Sequence, residues 1–284
     1  MPDERLTLGI CGSGTMGAGL AEVAARAGMS VIVRGRSDDS NAKLVATLSA
    51  SMARQVSKQK LAQDDMDAAI SRVRTTTALG QLEQCDLVIE SIVEDLDAKL
   101  GLVAELGAVL RPGAIIATNT STLSVEALAQ RSGRPDRTVG IHFFNPATTM
   151  PLVEVVRAAS TSDETVATAE SFARQCGKEP VHVLDRPGFI VNALLFPYLN
   201  SAVKMLEAGT ASMPDIDAAM KGGCNHPMGP FELLDLVGLD VAVSILDALH
   251  RGFGDLALAP AETLRALVSE GKLGRKTKQG FYSY

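Results

Sequence analysis

Cysteine is scarce in this chain and its spacing excludes two chemistries. Cys11, Cys85, Cys176 and Cys224 stand far apart in 284 residues, with no C-x-x-C pair and no histidine cluster beside them. Neither a zinc or other metal site nor a disulfide framework is indicated, and free thiols in a reducing cytoplasm are the simple reading. Basic charge is also short: the formal net charge is -6, where a nucleic-acid binder would carry a basic footprint. No uninterrupted apolar run reaches membrane-spanning length, and the opening MPDERLTL lacks the apolar core of a signal peptide. A soluble, cytoplasmic protein without a nucleic-acid or membrane partner is therefore expected. Internal repeats and low-complexity tracts are missing as well.

What is present is apolar mass, 46% of the residues, in a length that favours two domains. The most informative stretch is Leu6 to Gly17, LTLGICGSGTMG. A short apolar run leads straight into Gly12, Gly14 and Gly17, the G-x-G-x-x-G spacing that lays a dinucleotide pyrophosphate against a helix N-terminus. Leu20, Val23, Ala24 and Ala27 follow at the spacing of one buried helical face, and Gly28 stops that helix before a second apolar run, Ser30 to Val33.

Strand-like and helix-like segments then keep alternating. Asp86 to Ser91, Ala114 to Ala117 and Thr138 to Ile141 read as buried strands, with helices over about Asn41 to Lys60, Asp64 to Val73, Leu96 to Leu110 and Val125 to Arg131. This alternation predicts an α/β domain with a mostly parallel, Rossmann-type sheet. Ligands bind beyond the carboxyl ends of such strands, where Thr118 to Thr122 and His142 to Pro146 fall. After Asp185-Arg186-Pro187-Gly188 the strand signals cease. Phe189 to Glu207, kinked at Pro197, and Gly229 to His250 read as two long helical segments. The predicted organisation is a dinucleotide-binding domain over 1-185 and an all-helical domain over 186-284, with enough exposed-looking apolar surface to make it a homodimer interface.

The chain resembles the L-3-hydroxyacyl-CoA dehydrogenases, particularly the short bacterial 3-hydroxybutyryl-CoA dehydrogenases. The resemblance runs end to end. It rests on Gly12-Ser13-Gly14-Thr15-Met16-Gly17, Asn119-Thr120-Ser121, His142-Phe143-Phe144-Asn145-Pro146 and Pro187-Gly188-Phe189-Ile190-Val191-Asn192. Further on come His226-Pro227-Met228-Gly229-Pro230, Asp235 to Asp240, Leu273 to Lys276 and Gly280-Phe281-Tyr282.

Hydride transfer between a secondary alcohol and nicotinamide needs a group that takes the hydroxyl proton and returns it, and histidine suits that work near neutral pH. Of His142, His182, His226 and His250, only His142 stands at the carboxyl end of a strand beside the expected crevice. Glu154 lies inside the apolar run Leu152 to Val156, where an unpaired carboxylate is costly, so a partner is expected. The resemblance pairs it with His142 and implies that Ser121 and Asn192 hold the substrate's reacting oxygen. No G-x-S-x-G encloses Ser121, which argues against a hydrolase.

The resemblance further implies that Arg54 and Lys58 meet the phosphates of coenzyme A, one helical turn apart on a common face. It places Glu90 and Lys99 near the nicotinamide end, and Asn119 and Asn145 are expected near the cofactor or in loop architecture. One departure is informative. Where NAD-specific relatives end the second strand with an aspartate for the adenosine ribose, this chain has Gly35, then Arg36 and Ser37. Loss of the carboxylate removes repulsion against a 2′-phosphate and Arg36 and Ser37 add donors to it, so NADP(H) is the expected cofactor, with NAD(H) the alternative should Asp38 or Asp39 serve the ribose. The expected substrate is a short acyl-CoA. An acyl-carrier-protein thioester, a free hydroxy acid and a non-catalytic dinucleotide-binding role are the rival readings.

Overall fold

A computed structural model describes residues 6–284, so the reading of the first residues falls mostly outside the described part. The chain divides into two compact units, the first ending at Asp185 and the second beginning at Arg186.

The first unit runs β1 (Thr7–Cys11), α1 (Thr15–Arg26), β2 (Ser30–Arg34), α2 (Asp38–Ser57), α3 (Gln63–Ser71), β3 (Val73–Thr76), β4 (Leu87–Glu90) and α4 (Leu96–Val109). It continues with β5 (Ile115–Thr118), α5 (Val125–Arg131), β6 (Thr138–Phe143), β7 (Leu152–Arg157), α6 (Asp163–Gln175) and β8 (Glu179–Leu184). The strands form one sheet in the order β3-β2-β1-β4-β5-β6-β7-β8. Pairing is parallel from β3 to β6 and antiparallel between β6 and β7, while β8 runs parallel to β7.

Alternate strand residues divide the core between the two faces. Leu8, Ile10, Leu87 and Ile89 pack with α1, α2 and α6, while Cys11, Val88 and Ile116 pack with α4 and α5. Burial on both faces explains why β4 and β5 read as continuous apolar runs. β1 has β2 on one side and β4 on the other, so the chain reverses its direction of travel through the sheet there. That reversal opens a crevice beyond the carboxyl end of β1, where the glycine-rich turn begins.

The second unit is helical: α7 (Val191–Glu207), α8 (Met213–Cys224), α9 (Pro230–Val237), α10 (Leu239–Phe253) and α11 (Glu262–Ser269). Phe196, Leu199, Phe231, Leu234, Ile245 and Leu246 anchor its core. The single long segment expected over Gly229 to His250 is two helices. Gly238, at φ 107°, breaks it in a backbone conformation that an L side chain resists. Two buried carboxylates strap the C-terminal tail. Asp235 accepts from the amides of Phe281 and Tyr282 at 2.9 and 2.8 Å, and Asp217 accepts from the Tyr282 hydroxyl at 2.8 Å. Among the described residues no helix is long and apolar enough to cross a membrane.

Candidate active site

The three glycines of the turn have three different surroundings. Gly12 has φ 127°, and a Cβ there would stand 2.3 Å from the carbonyl oxygen of Ser91. A Cβ on Gly17 would stand 2.0 Å from the carbonyl oxygen of Gly12, so the first turn of α1 rests directly on the end of β1. Nothing lies within 4 Å of a Cβ position on Gly14. Gly14 is the N-cap of α1 and has no side chain to cap it, so the amides of Thr15, Met16 and Gly17 open the helix without intrahelical acceptors. Bare backbone, open space and a helix N-terminus at the crevice suit the pyrophosphate of a dinucleotide.

Antiparallel pairing of β6 with β7 sets His142 directly opposite Glu154 in the register. The imidazole Nδ1 lies 2.7 Å from Glu154 Oε2. An ionised carboxylate only accepts, so Nδ1–H donates, and the tautomer is thereby fixed. Glu154 is fully buried and His142 is 4% exposed, with the Phe144 ring centroid 4.5 Å from the imidazole centroid. Of the other histidines, His182 is exposed on β8, while in the second unit His226 is exposed beside Tyr198 and His250 Nδ1 lies 2.7 Å from the carbonyl of Asp255.

Ser121 sits in the loop after β5, and that loop is held by a residue the sequence did not single out. Glu94 Oε1 accepts from the Thr120 hydroxyl at 2.5 Å and from the amides of Ser121 and Thr122 at 2.8 and 3.2 Å. A second carboxylate lies beneath it. Glu90, at the end of β4, is fully buried, and Lys99 Nζ donates to its two oxygens at 2.8 and 2.9 Å, while the Thr118 hydroxyl donates to Oε1. Lys99 also lies 3.3 Å from Glu94. The signal that could have found Glu94 is its place, an acid just past a buried strand and five residues before a lysine. Asn119 Oδ1 accepts from the Phe143 amide at 2.9 Å, tying the ends of β5 and β6 together.

The remaining candidates are scattered. Gly35 closes β2, Arg36 is exposed, and Ser37 is the N-cap of α2, its Oγ accepting from the Ser40 amide at 3.2 Å. Arg54 and Lys58 are exposed at the far end of α2, about 25 and 31 Å along the helix from Ser37 at roughly 1.5 Å per residue. They are not brought to the glycine turn. Asn145 is exposed in the loop after β6. Asn192 belongs to the second unit, as the second residue of α7.

Comparison with known proteins agrees with this arrangement. Residues 7–186 match the model of the NAD binding domain of 3-hydroxyacyl-CoA dehydrogenase, and residues 188–284 match that of its C-terminal domain. A 3-hydroxybutyryl-CoA dehydrogenase of Bradyrhizobium diazoefficiens is 43% identical over 98% of this chain and 94% of its own length. Among solved structures, Mycobacterium tuberculosis FadB2 superposes with a TM-score of 0.97 at 41% identity, over 99% of this chain and 100% of that one. The (S)-3-hydroxybutyryl-CoA dehydrogenase PaaH1 of Ralstonia eutropha gives 0.96 at 41% identity, over 99% of each chain.

Proposed function

We propose, for a chain that belongs to the 3-hydroxyacyl-CoA dehydrogenase family, that it interconverts (S)-3-hydroxybutyryl-CoA and acetoacetyl-CoA with NADP(H) as its preferred cofactor. The observation that carries the chemistry is the His142–Glu154 pair: a buried, oriented imidazole at the carboxyl end of a strand of a dinucleotide-binding sheet. Two of the relatives above are named for 3-hydroxybutyryl-CoA, which supports the substrate.

The glycine turn and the amides of Thr15, Met16 and Gly17 would hold the pyrophosphate, and Gly35, Arg36 and Ser37 would meet the adenosine ribose and its 2′-phosphate. Arg36 is exposed and has no ion-pair partner among the described residues, and the Ser37 cap uses its oxygen as an acceptor while leaving its proton for a ligand. When bound, the nicotinamide supplies or accepts the hydride. His142 does the proton work. Nδ1 is committed to Glu154, so Nε2 gives a proton to the 3-keto oxygen in reduction and takes it from the 3-hydroxyl in oxidation. Glu154 stabilises the charged ring and stops it turning. Ser121 and Asn192 hold the reacting oxygen, an assignment that rests for both on the family resemblance.

Glu94 acts as a positioning residue by fixing the Ser121 loop from below. Glu90 and Lys99 are buried beneath it and serve the cofactor end through that loop, while Asn119 and Asn145 shape the strand ends around it. Arg54 and Lys58 are read as the landing site for the phosphates of coenzyme A. The exposed Leu194, Leu236, Val241 and Leu256 of the C-terminal domain are read as part of a homodimer surface. The site of action is the cytoplasm, and NADPH makes acetoacetyl-CoA reduction the working direction.

Steady-state turnover of acetoacetyl-CoA with NADPH and with NADH tests this reading. The expected result is a higher kcat/KM with NADPH and a loss of about 10²–10⁴ in kcat for His142→Ala with cofactor affinity retained. A higher kcat/KM with NADH would overturn the cofactor preference, and full turnover by His142→Ala would overturn the mechanism.

A further inference from the structure

Gly35 is the residue on which the cofactor preference turns, and its glycine is not required by its own backbone. Its φ lies outside the left-handed region, so any residue could adopt its conformation. Space is what forbids a side chain. A Cβ at position 35 would stand 2.1 Å from Asn41 Oδ1, 3.0 Å from Asn41 Cγ and 2.7 Å from Ser40 Oγ.

Neither neighbour is free to move aside. Asn41 is 4% exposed, in the first turns of α2, and its Nδ2 donates to the carbonyl of Thr76 at 3.1 Å. The Gly35 amide donates to the same carbonyl at 3.0 Å. That shared acceptor fixes which way the Asn41 amide points, because turning it over would set oxygen against oxygen. Ser40 is locked in a reciprocal cap: its Oγ donates to the Ser37 carbonyl at 2.8 Å and accepts from the Ser37 amide at 3.2 Å.

Asn41 carries a cost for this position. Its Oδ1 is buried, and no hydrogen-bond donor among the described residues reaches it. A buried acceptor left without a donor is unfavourable, so the amide is not explained by hydrogen bonding of that oxygen. Its oxygen is turned instead toward the Cα of Gly35. The place is also the right one for cofactor choice. Gly12 of the phosphate turn donates its amide to the carbonyl of Arg34 at 3.0 Å, so position 35 stands beside the glycine turn at the carboxyl end of β2.

We propose that Asn41, supported by Ser40, is a specificity-determining wedge: it occupies the volume a residue-35 side chain needs, and so keeps a ribose-binding carboxylate out of the cofactor site. Cofactor choice is then a property of three positions acting as a unit, not of Gly35 alone. The proposal rests on the NADP(H) reading above for its functional meaning, while the steric coupling is measured separately from it.

The experiment places Gly35→Asp in the wild-type background and in a Ser40→Ala/Asn41→Ala background, with Kd for NADH and NADPH by the fluorescence of the reduced nicotinamide and Tm for each protein. Gly35→Asp alone is expected to weaken both cofactors. In the relieved background the same substitution is expected to bind NADH about tenfold or more tighter than it does alone, and to favour NADH over NADPH. Equal NADH affinity for Gly35→Asp in the two backgrounds would overturn the wedge. Should Gly35→Asp fail to fold, Gly35→Ala carries the same test: its Tm falls by about 4 °C or more in the wild-type background and recovers when Asn41 is Ala. An equal Tm change in both backgrounds overturns the proposal. A wild-type protein that binds NADH more tightly than NADPH would refute the cofactor preference alone and leave the coupling to be judged by these comparisons.

Discussion

Two buried pairs of opposite character stand at strand ends of the sheet: Glu90 at the end of β4 with Lys99 of α4, and His142 near the end of β6 with Glu154 of β7. Glu90 and Lys99 are sealed, at 0% and 1% exposure, and the carboxylate has contacts from Lys99, Thr118 and the Ile92 amide. Glu154 is equally sealed, but its partner is an imidazole ring, that of His142, held through Nδ1. In the first pair a lysine faces the carboxylate and fixes a position; in the second the partner is an imidazole, the side chain suited to pass a proton to the substrate in the mechanism proposed above. Burial of a carboxylate is thus common to both, and the identity of the partner separates scaffold from chemistry.

Breaking the scaffold pair has the larger expected effect on stability. Lys99→Met leaves Glu90 buried without its counter-charge, which costs about 3–5 kcal/mol. Chemical denaturation of this variant should show that loss, and a stability equal to that of the parent would mean the pair is not what holds the end of β4. The smallest expected effect sharpens the contrast from the other side, with thiols on which burial outweighs the nearby cations. Burial pushes the thiols of Cys11 and Cys176 up to about 12 and that of Cys85 to about 11. A raised pKa keeps a thiol protonated and neutral through pH 6 to 9, so these three contribute no pH dependence to stability in that window and react slowly. Labelling of the native protein at pH 8 should therefore modify the exposed Cys224 first and alone. Rapid labelling of a second thiol would contradict the burial.

Much of this was legible in the sequence because period and punctuation agreed. The strands buried on both faces read as apolar runs, and α5 starts and stops at the residues its pattern predicted, Val125 and Arg131. β3, with the sequence VRTT at the sheet edge, has no apolar run because it is half exposed, so the pattern behind Asp64 to Val73 gave no sign of it. α9 and α10 read as one segment because both are rich in Leu and Val, and only the positive φ of Gly238 divides them. A need for a partner at Glu154 could be read from a carboxylate inside an apolar run, while His142 could be named as that partner only through the family resemblance. Glu94 and Asn41 could not, because their importance lies in what they touch: backbone amides of a distant loop in one case and an empty Cβ position in the other.

The central claim is that the Glu154 carboxylate, unlike that of Glu90, serves the reaction. Its most direct test is kcat for acetoacetyl-CoA reduction by Glu154→Gln, measured on folded protein at saturating cofactor. The amide keeps the size and an acceptor oxygen but loses the charge that supports the imidazolium, so kcat should fall by about 10²–10⁴ while KM for the thioester stays near that of the parent. A folded Glu154→Gln protein with the parent's kcat would contradict the account.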